Sequence, residues 1–171
     1  METLENCREW EKRIGQAGAE ILPYLLLTGL TFLLLYLPVE QGAIFGSEGD
    51  WYSQHVGAAE ALRQTMLSAW GIFPQFVGLG GGINAYDLAY YGLLRPDVLL
   101  SCLLPNVEMK EIISVYAAVG AVASVNITYL WLKGKNFTVR LAATGAILMA
   151  AATCFFHAHH QIMFINYMPF L

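Results

Sequence analysis

Charge is what this sequence has least of. Only 13% of its residues are Asp, Glu, Lys or Arg, against about a quarter in soluble domains. Such a shortage excludes a surface of ordinary polarity wrapped around a conventional core. The basic residues, 9 in all, form no stripe, so nothing is available to neutralise a phosphate backbone and nucleic acid is excluded as a partner. Cysteine is sparse as well. Cys7, Cys102 and Cys154 are scattered and odd in number, which suits neither a disulfide framework nor a metal knuckle. A cleaved signal peptide is not expected either. The first apolar block is too long for the h-region of a signal, acidic residues precede it, and no small-residue cleavage site follows.

Apolar sequence is abundant and gathered into blocks. Hydrophobic residues make up 57% of the chain, and the mean hydropathy is +0.51. Residues 21–39 carry no charge and, at about 1.5 Å per residue, reach roughly the 30 Å of a hydrocarbon core. Residues 112–132 are also uncharged. A shorter, alanine-rich block completes a third span over 139–157. The expected fold is therefore all-α, with polytopic transmembrane helices following a cytoplasmic tail over 1–20. A further helix begins at 162–171.

Charge in the short loops orients such a chain. Arg8, Lys12 and Arg13 precede the first span, and Lys133, Lys135 and Arg140 bracket the turn between the other two. Both clusters are expected on the cytoplasmic side of the cell membrane, N-terminus included. The loop 40–111 holds Arg63, Arg95 and Lys110 against eight acidic residues and should face outward. An even number of crossings is then required of the apolar run 88–104. Arg95-Pro96-Asp97 interrupts it and Pro105 stops it, so it reads as a re-entrant or interfacial pair of short helices.

Helical spacing over 50–70 gathers Trp51, Tyr52, His55, Val56, Ala59, Leu62, Met66, Leu67 and Trp70 on one face. Asp50, Ser53, Gln54, Glu60 and Gln64 fall on the other. This pattern predicts an amphipathic interfacial helix in the outer loop, with Arg63 on its apolar face reaching toward lipid phosphate. Gly78, Gly80, Gly81 and Gly82 make a glycine-rich turn without the Gly-Lys-Ser/Thr ending of a P-loop.

Several strings carry a resemblance. Gly49-Asp50-Trp51-Tyr52-Ser53-Gln54, then Gly78-Leu79-Gly80-Gly81 with Tyr86, Tyr90 and Tyr91, then Leu93-Leu94-Arg95-Pro96, and finally the stretch from His160 to Asn166 running into Pro169 resemble the bacterial YfhO family in the same order. That family belongs with the GT-C membrane glycosyltransferases, which take sugar from a polyprenyl-phosphate carrier on the outer face. Its members are several hundred residues longer, so this chain corresponds to an N-terminal portion.

The resemblance implies chemistry for particular residues. Asp50 would be the general base that deprotonates the acceptor hydroxyl, although an Asp at the start of a helical run also makes a good N-cap. Glu48 is either a second acid or a solvated loop carboxylate. Gln54 would orient a sugar hydroxyl, unless it is simply surface polarity. His157 and His160 face the same way on a helix. They would donate to the carrier phosphate, with zinc ligation or plain interfacial placement, shared with His159, as the other readings. Arg95 either pairs with Asp97 or touches a headgroup phosphate. Asn126 and Thr128 are expected to be helix-packing hydrogen-bonders. No cofactor or metal is implied. The partners would be the lipid bilayer, a polyprenyl-phosphate-linked sugar and a cell-envelope glycopolymer or lipid acceptor. The competing expectation is a non-catalytic membrane scaffold or transporter fragment.

Overall fold

The computed structural model describes residues 2–37, 51–69 and 71–152, with side chains for 18–37, 53–69 and 71–152. The chain is mostly helical. Asp50, Glu48, Trp70, the three C-terminal histidines and the expected helix at 162–171 lie outside the described residues.

Helix α1 (Glu2–Tyr36) is continuous over 35 residues. The segment 1–20, expected as the tail, is helical from Glu2 onward and continuous with the apolar stretch, because its Glu, Lys, Arg, Gln and Ala residues are good helix formers. Pro23 lies inside α1, where it deprives the helix of one backbone hydrogen bond. Two stretches are long and apolar enough to cross a membrane: Gly18–Tyr36, and α4 (Met109–Gly134), whose 26 residues extend about 39 Å. They run antiparallel. Tyr24 packs edge-on against Tyr129 with ring centroids 5.0 Å apart, and one helical turn further along α1 Asn126 Nδ2 donates to Thr28 Oγ1 at 3.1 Å. Asn126 and Thr128 act as packing hydrogen-bonders, as expected. The Thr128 hydroxyl donates to Ser124 O and touches the Met149 sulfur at 2.7 Å.

α4 stops in a Schellman motif. Asn136 takes a left-handed φ of 64°, its N–H donates to Lys133 O, and the N–H of Phe137 donates to Leu132 O. Thr138 then caps α5 (Val139–Ala150) by accepting from Leu141 N. Ala142, Ala146 and Ala150 form a small-residue stripe buried against Ala121 and Val125, which lets the two helix backbones approach closely. Of the third span expected over 139–157, residues 153–157 lie outside the described residues and the rest contains α5. α5 has 12 residues and is capped by Ala151, so it rises only about 18 Å, short of the roughly 30 Å of a hydrocarbon core.

A second core forms on the N-terminal part of α4. Met109, Ile113 and Ala117 are buried with Ala58, Ala59, Leu62 and Met66 of α2 (Gly57–Ala69), and with Val77, Leu88 and Val98. The interfacial helix expected over 50–70 is thus revised in two ways. Its first turn, Trp51–Val56, is a π-helix, and the apolar face of the α-helix that follows covers protein rather than lipid. Amphipathic spacing specifies an apolar partner without distinguishing the two. The glycine-rich segment closes a hairpin of β1 (Phe76–Val77) and β2 (Ile83–Asn84), an addition to the expected all-α fold. Gly80, Gly81 and Gly82 all have positive φ, which side-chain-bearing residues rarely adopt.

The pair of short helices expected over 88–104 is half present. Residues 89–94 are turns that follow a 3₁₀ segment (Ala85–Leu88), and only α3 (Pro96–Ser101) is helical. Pro96 is at its first position, where the missing N–H costs nothing. The Leu88 carbonyl accepts from the N–H groups of Tyr91, Gly92 and Leu93, which curls the preceding half into a compact knot instead.

Candidate functional site

The π-helical turn before α2 brings Gln54 and His55 against the tyrosine turn. Tyr91 Oη donates to Gln54 Oε1 at 2.8 Å. His55 is buried, with its ring 5.3 Å from that of Tyr90 and 5.2 Å from that of Tyr91. Tyr90 and Tyr91 themselves meet edge-on. π-Helical turns insert one residue into the helical repeat and recur at functional sites. The turn places neighbouring residues Gln54 and His55 toward the same pair of tyrosines. The tyrosine turn is held from its start, since Asn84 Oδ1 accepts from Tyr86 N at 3.0 Å.

Beyond the tyrosines the chain passes through Leu94, which has a left-handed φ of 61°, and enters α3. Arg95 Nε donates to Asp97 Oδ1 at 2.6 Å, with the two side chains 5% and 0% exposed. The ion-pair expectation for Arg95 is therefore the one realised. Its guanidinium is committed to Asp97 inside the fold rather than presented to a headgroup phosphate at the surface. The pair is incompletely satisfied: among the described residues, Arg95 Nη2 and Asp97 Oδ2 have no hydrogen-bond partner. Leaving buried polar atoms unpaired is costly.

Arg63 corrects a second expectation. It is buried and does not reach lipid. Its Nη1 donates to Val107 O at 2.7 Å and its Nη2 pairs with Glu60 at 2.5 Å, which ties α2 to the connection between α3 and α4. A pocket of about 440 Å³ beside it is lined by Glu60, Arg63, Glu108 and Lys110, the last two forming an ion pair.

A separate open-sided groove, also of about 440 Å³, separates α3 and its following turn from the N-terminal half of α4. Asp97 and Tyr116 line it, Glu111 stands at one end, and the remaining walls are aliphatic. Sequence patterning did not bring Asp97 and Tyr116 to one groove, because that depends on how α3 is docked. Among the described residues no group of three metal-ligating side chains occurs.

Of the residues singled out in the sequence, the structure thus places Gln54 beside the tyrosines and Arg95 in the buried pair. Asp50, His157 and His160 are outside the described residues. No family model, curated protein or solved structure matches this chain.

Proposed function

We propose that this chain belongs to a polytopic membrane glycosyltransferase of GT-C type. It would move a sugar from a polyprenyl-phosphate carrier to a cell-envelope glycopolymer or lipid acceptor on the outer face. The observation that carries the reading is the contact between Gln54 and Tyr91. The strings Gly49–Gln54 and Tyr86–Tyr91, which carry the resemblance to the YfhO family, lie far apart in sequence. They share a hydrogen bond and a buried histidine. A polar cluster of Gln, His and Tyr side chains suits recognition of sugar hydroxyls, which both donate and accept. The two apolar helices supply the membrane setting that a lipid-linked donor requires.

In this reading α1 runs outward and α4 returns, so the segment containing the π-turn, the hairpin and α3 faces out. Asp50, adjacent in sequence to the π-turn, takes the acceptor proton as the acceptor oxygen attacks the anomeric carbon. The carrier phosphate leaves with the electron pair of the broken bond, and His157 and His160 stabilise its charge.

The test is Asp50→Asn in the protein reconstituted in lipid, with sugar transfer from a polyprenyl-phosphate donor followed beside thermal stability. Asn caps a helix nearly as well as Asp, so stability should shift by only a few tenths of a kcal/mol. Losing a general base should slow transfer about 10²- to 10⁴-fold. Full activity in the Asn variant would remove the base assignment. Absence of transfer by the parent protein would favour the scaffold or transporter reading.

A further inference from the structure

α3 and the turn after it are built with their polarity reversed. Arg95, Asp97 and Ser101 are buried, whereas Leu100, Leu103 and Leu104 are each more than half exposed. A segment facing water places such residues the other way round. Residues 98–107 carry no charge, and the ion pair at the start of α3 is turned inward. The backbone suits the same surroundings. The N–H groups of Cys102, Leu103, Leu104 and Val107 each donate to a carbonyl three residues back. From α2, Arg63 Nη1 reaches across to donate to Val107 O at 2.7 Å. Irregular backbone at membrane depth is tolerated only where the protein satisfies it in this way.

Depth follows from α4. Its uncharged stretch 112–132 rises about 32 Å, close to the roughly 30 Å of a hydrocarbon core. Glu111 and Lys133 then stand at the two edges of the bilayer core. α3 and its turn lie alongside α4 from Glu111 to Val119, about 12 Å, and Val98 shares a core with Ile113 and Ala117. They are therefore level with the outermost turns of the span rather than above it. We propose that the outer segment is re-entrant: α3 and its turn enter the leaflet on the Glu111 side and return, with the acyl chains of that leaflet covering Leu100, Leu103 and Leu104. The Arg95–Asp97 pair is held below the headgroups, where ionisable side chains face the protein interior and pair with one another. The inference rests on the membrane-spanning reading of α4 and does not depend on sugar transfer.

The experiment uses the full chain in phosphatidylcholine vesicles, with Cys7, Cys102 and Cys154 changed to Ser and a nitroxide attached through Leu103→Cys. Leu103 is 76% exposed, so its replacement disturbs no core. Oxygen concentrates among acyl chains and a nickel chelate stays in water, so the ratio of their collision rates with the nitroxide reads what surrounds it. Ile127→Cys, at an exposed position well inside the uncharged stretch of α4, supplies the lipid reference. Gly134→Cys, at the exposed end of α4, supplies the water reference. The oxygen-to-nickel ratio at position 103 should rise well above that at 134 and approach that at 127. A ratio at 103 as low as that at 134, with 127 still protected from nickel, would overturn re-entrance and leave the span intact. Nickel collisions at 127 as frequent as at 134 would remove the span and the proposal with it. Protection of position 103 from both reagents, with dipolar broadening between labels, would put a second copy of the chain there and overturn the lipid contact.

Discussion

Tyr91 donates its hydroxyl hydrogen to Oε1 of Gln54 at 2.8 Å, and this bond closes the tyrosine turn onto the π-helical start of α2. It is exposed, so it is weaker than a buried bond of the same geometry. Tyr91→Phe keeps the ring against His55 and deletes only the hydroxyl. The expected loss of stability is about 0.5–1 kcal/mol, read as a small drop in melting temperature. If Gln54 orients a sugar, the same variant should reduce sugar transfer more than it reduces stability, since the amide loses its tether. A variant with lowered stability and unchanged transfer would leave the bond purely structural.

Arg63 makes a stronger claim. Its hydrogen bond to Val107 O is a charged donor on a backbone carbonyl in a part-buried setting, whereas its partner Glu60 is partly exposed, so that ion pair contributes little. Arg63→Met keeps the apolar stem and should cost about 1.5–3 kcal/mol, in the range for hydrogen bonds to charged groups. Glu60→Gln should cost well under 1 kcal/mol. Thermal unfolding of both variants in the same lipid checks the order. A Glu60 variant as damaging as the Arg63 variant would show that the ion pair, not the carbonyl contact, anchors α2.

The two residues differ in how far the sequence reveals them. Arg63 on an otherwise apolar helical face is legible as an anomaly, but the sequence does not say whether such a face meets lipid or protein. It meets the core built on Met109, Ile113 and Ala117, residues whose own periodicity reads only as a membrane span. The long apolar helices follow from composition and length alone. The π-turn, the hairpin and the knot at 89–94 depend instead on which carbonyls and side chains happen to meet, as with the three donors on Leu88 O. Gln54 and Arg95 are identifiable as polar residues in marked positions. Their partners Tyr91 and Asp97 settle whether each is presented or withdrawn, and in Arg95 the buried carboxylate withdraws it.

Gly145 offers a test of the α4–α5 hairpin. A Cβ at that position would lie 2.6 Å from Leu132 Cδ1, so any side chain must displace Leu132 or part the helices. Gly145→Val should destabilise by about 1–3 kcal/mol, as overpacking does. Leu132→Ala in the same molecule removes the obstructing carbons and should recover part of the loss. The double variant is then more stable than the sum of the single changes allows, a coupling that thermal melts of the four proteins measure. Strict additivity would mean that the close approach does not govern the packing.

Orientation is the last expectation, and it has physical content because both basic clusters lie toward one end of the helical unit. α1 and α4 are antiparallel, as the Tyr24–Tyr129 and Thr28–Asn126 contacts require. Arg8, Lys12 and Arg13 precede the apolar part of α1, and Lys133 and Lys135 stand at the opposite terminus of α4. They therefore lie toward the same end, and the bias of Lys and Arg toward the cytoplasm predicts that end to be the inner one. Gly78 and Gly134 are suitable reporters. Each is exposed, and a Cβ at either would meet nothing within 4 Å. In a chain with Cys7, Cys102 and Cys154 changed to Ser, Gly78→Cys should react with an impermeant maleimide on intact cells. Gly134→Cys should react only after permeabilisation. The reverse pattern would invert the topology and move the Gln54–Tyr91 cluster away from an outward-facing donor. Reaction of both on intact cells would mean that α4 does not separate the two compartments, which would remove the membrane-spanning assignment of its 26 residues.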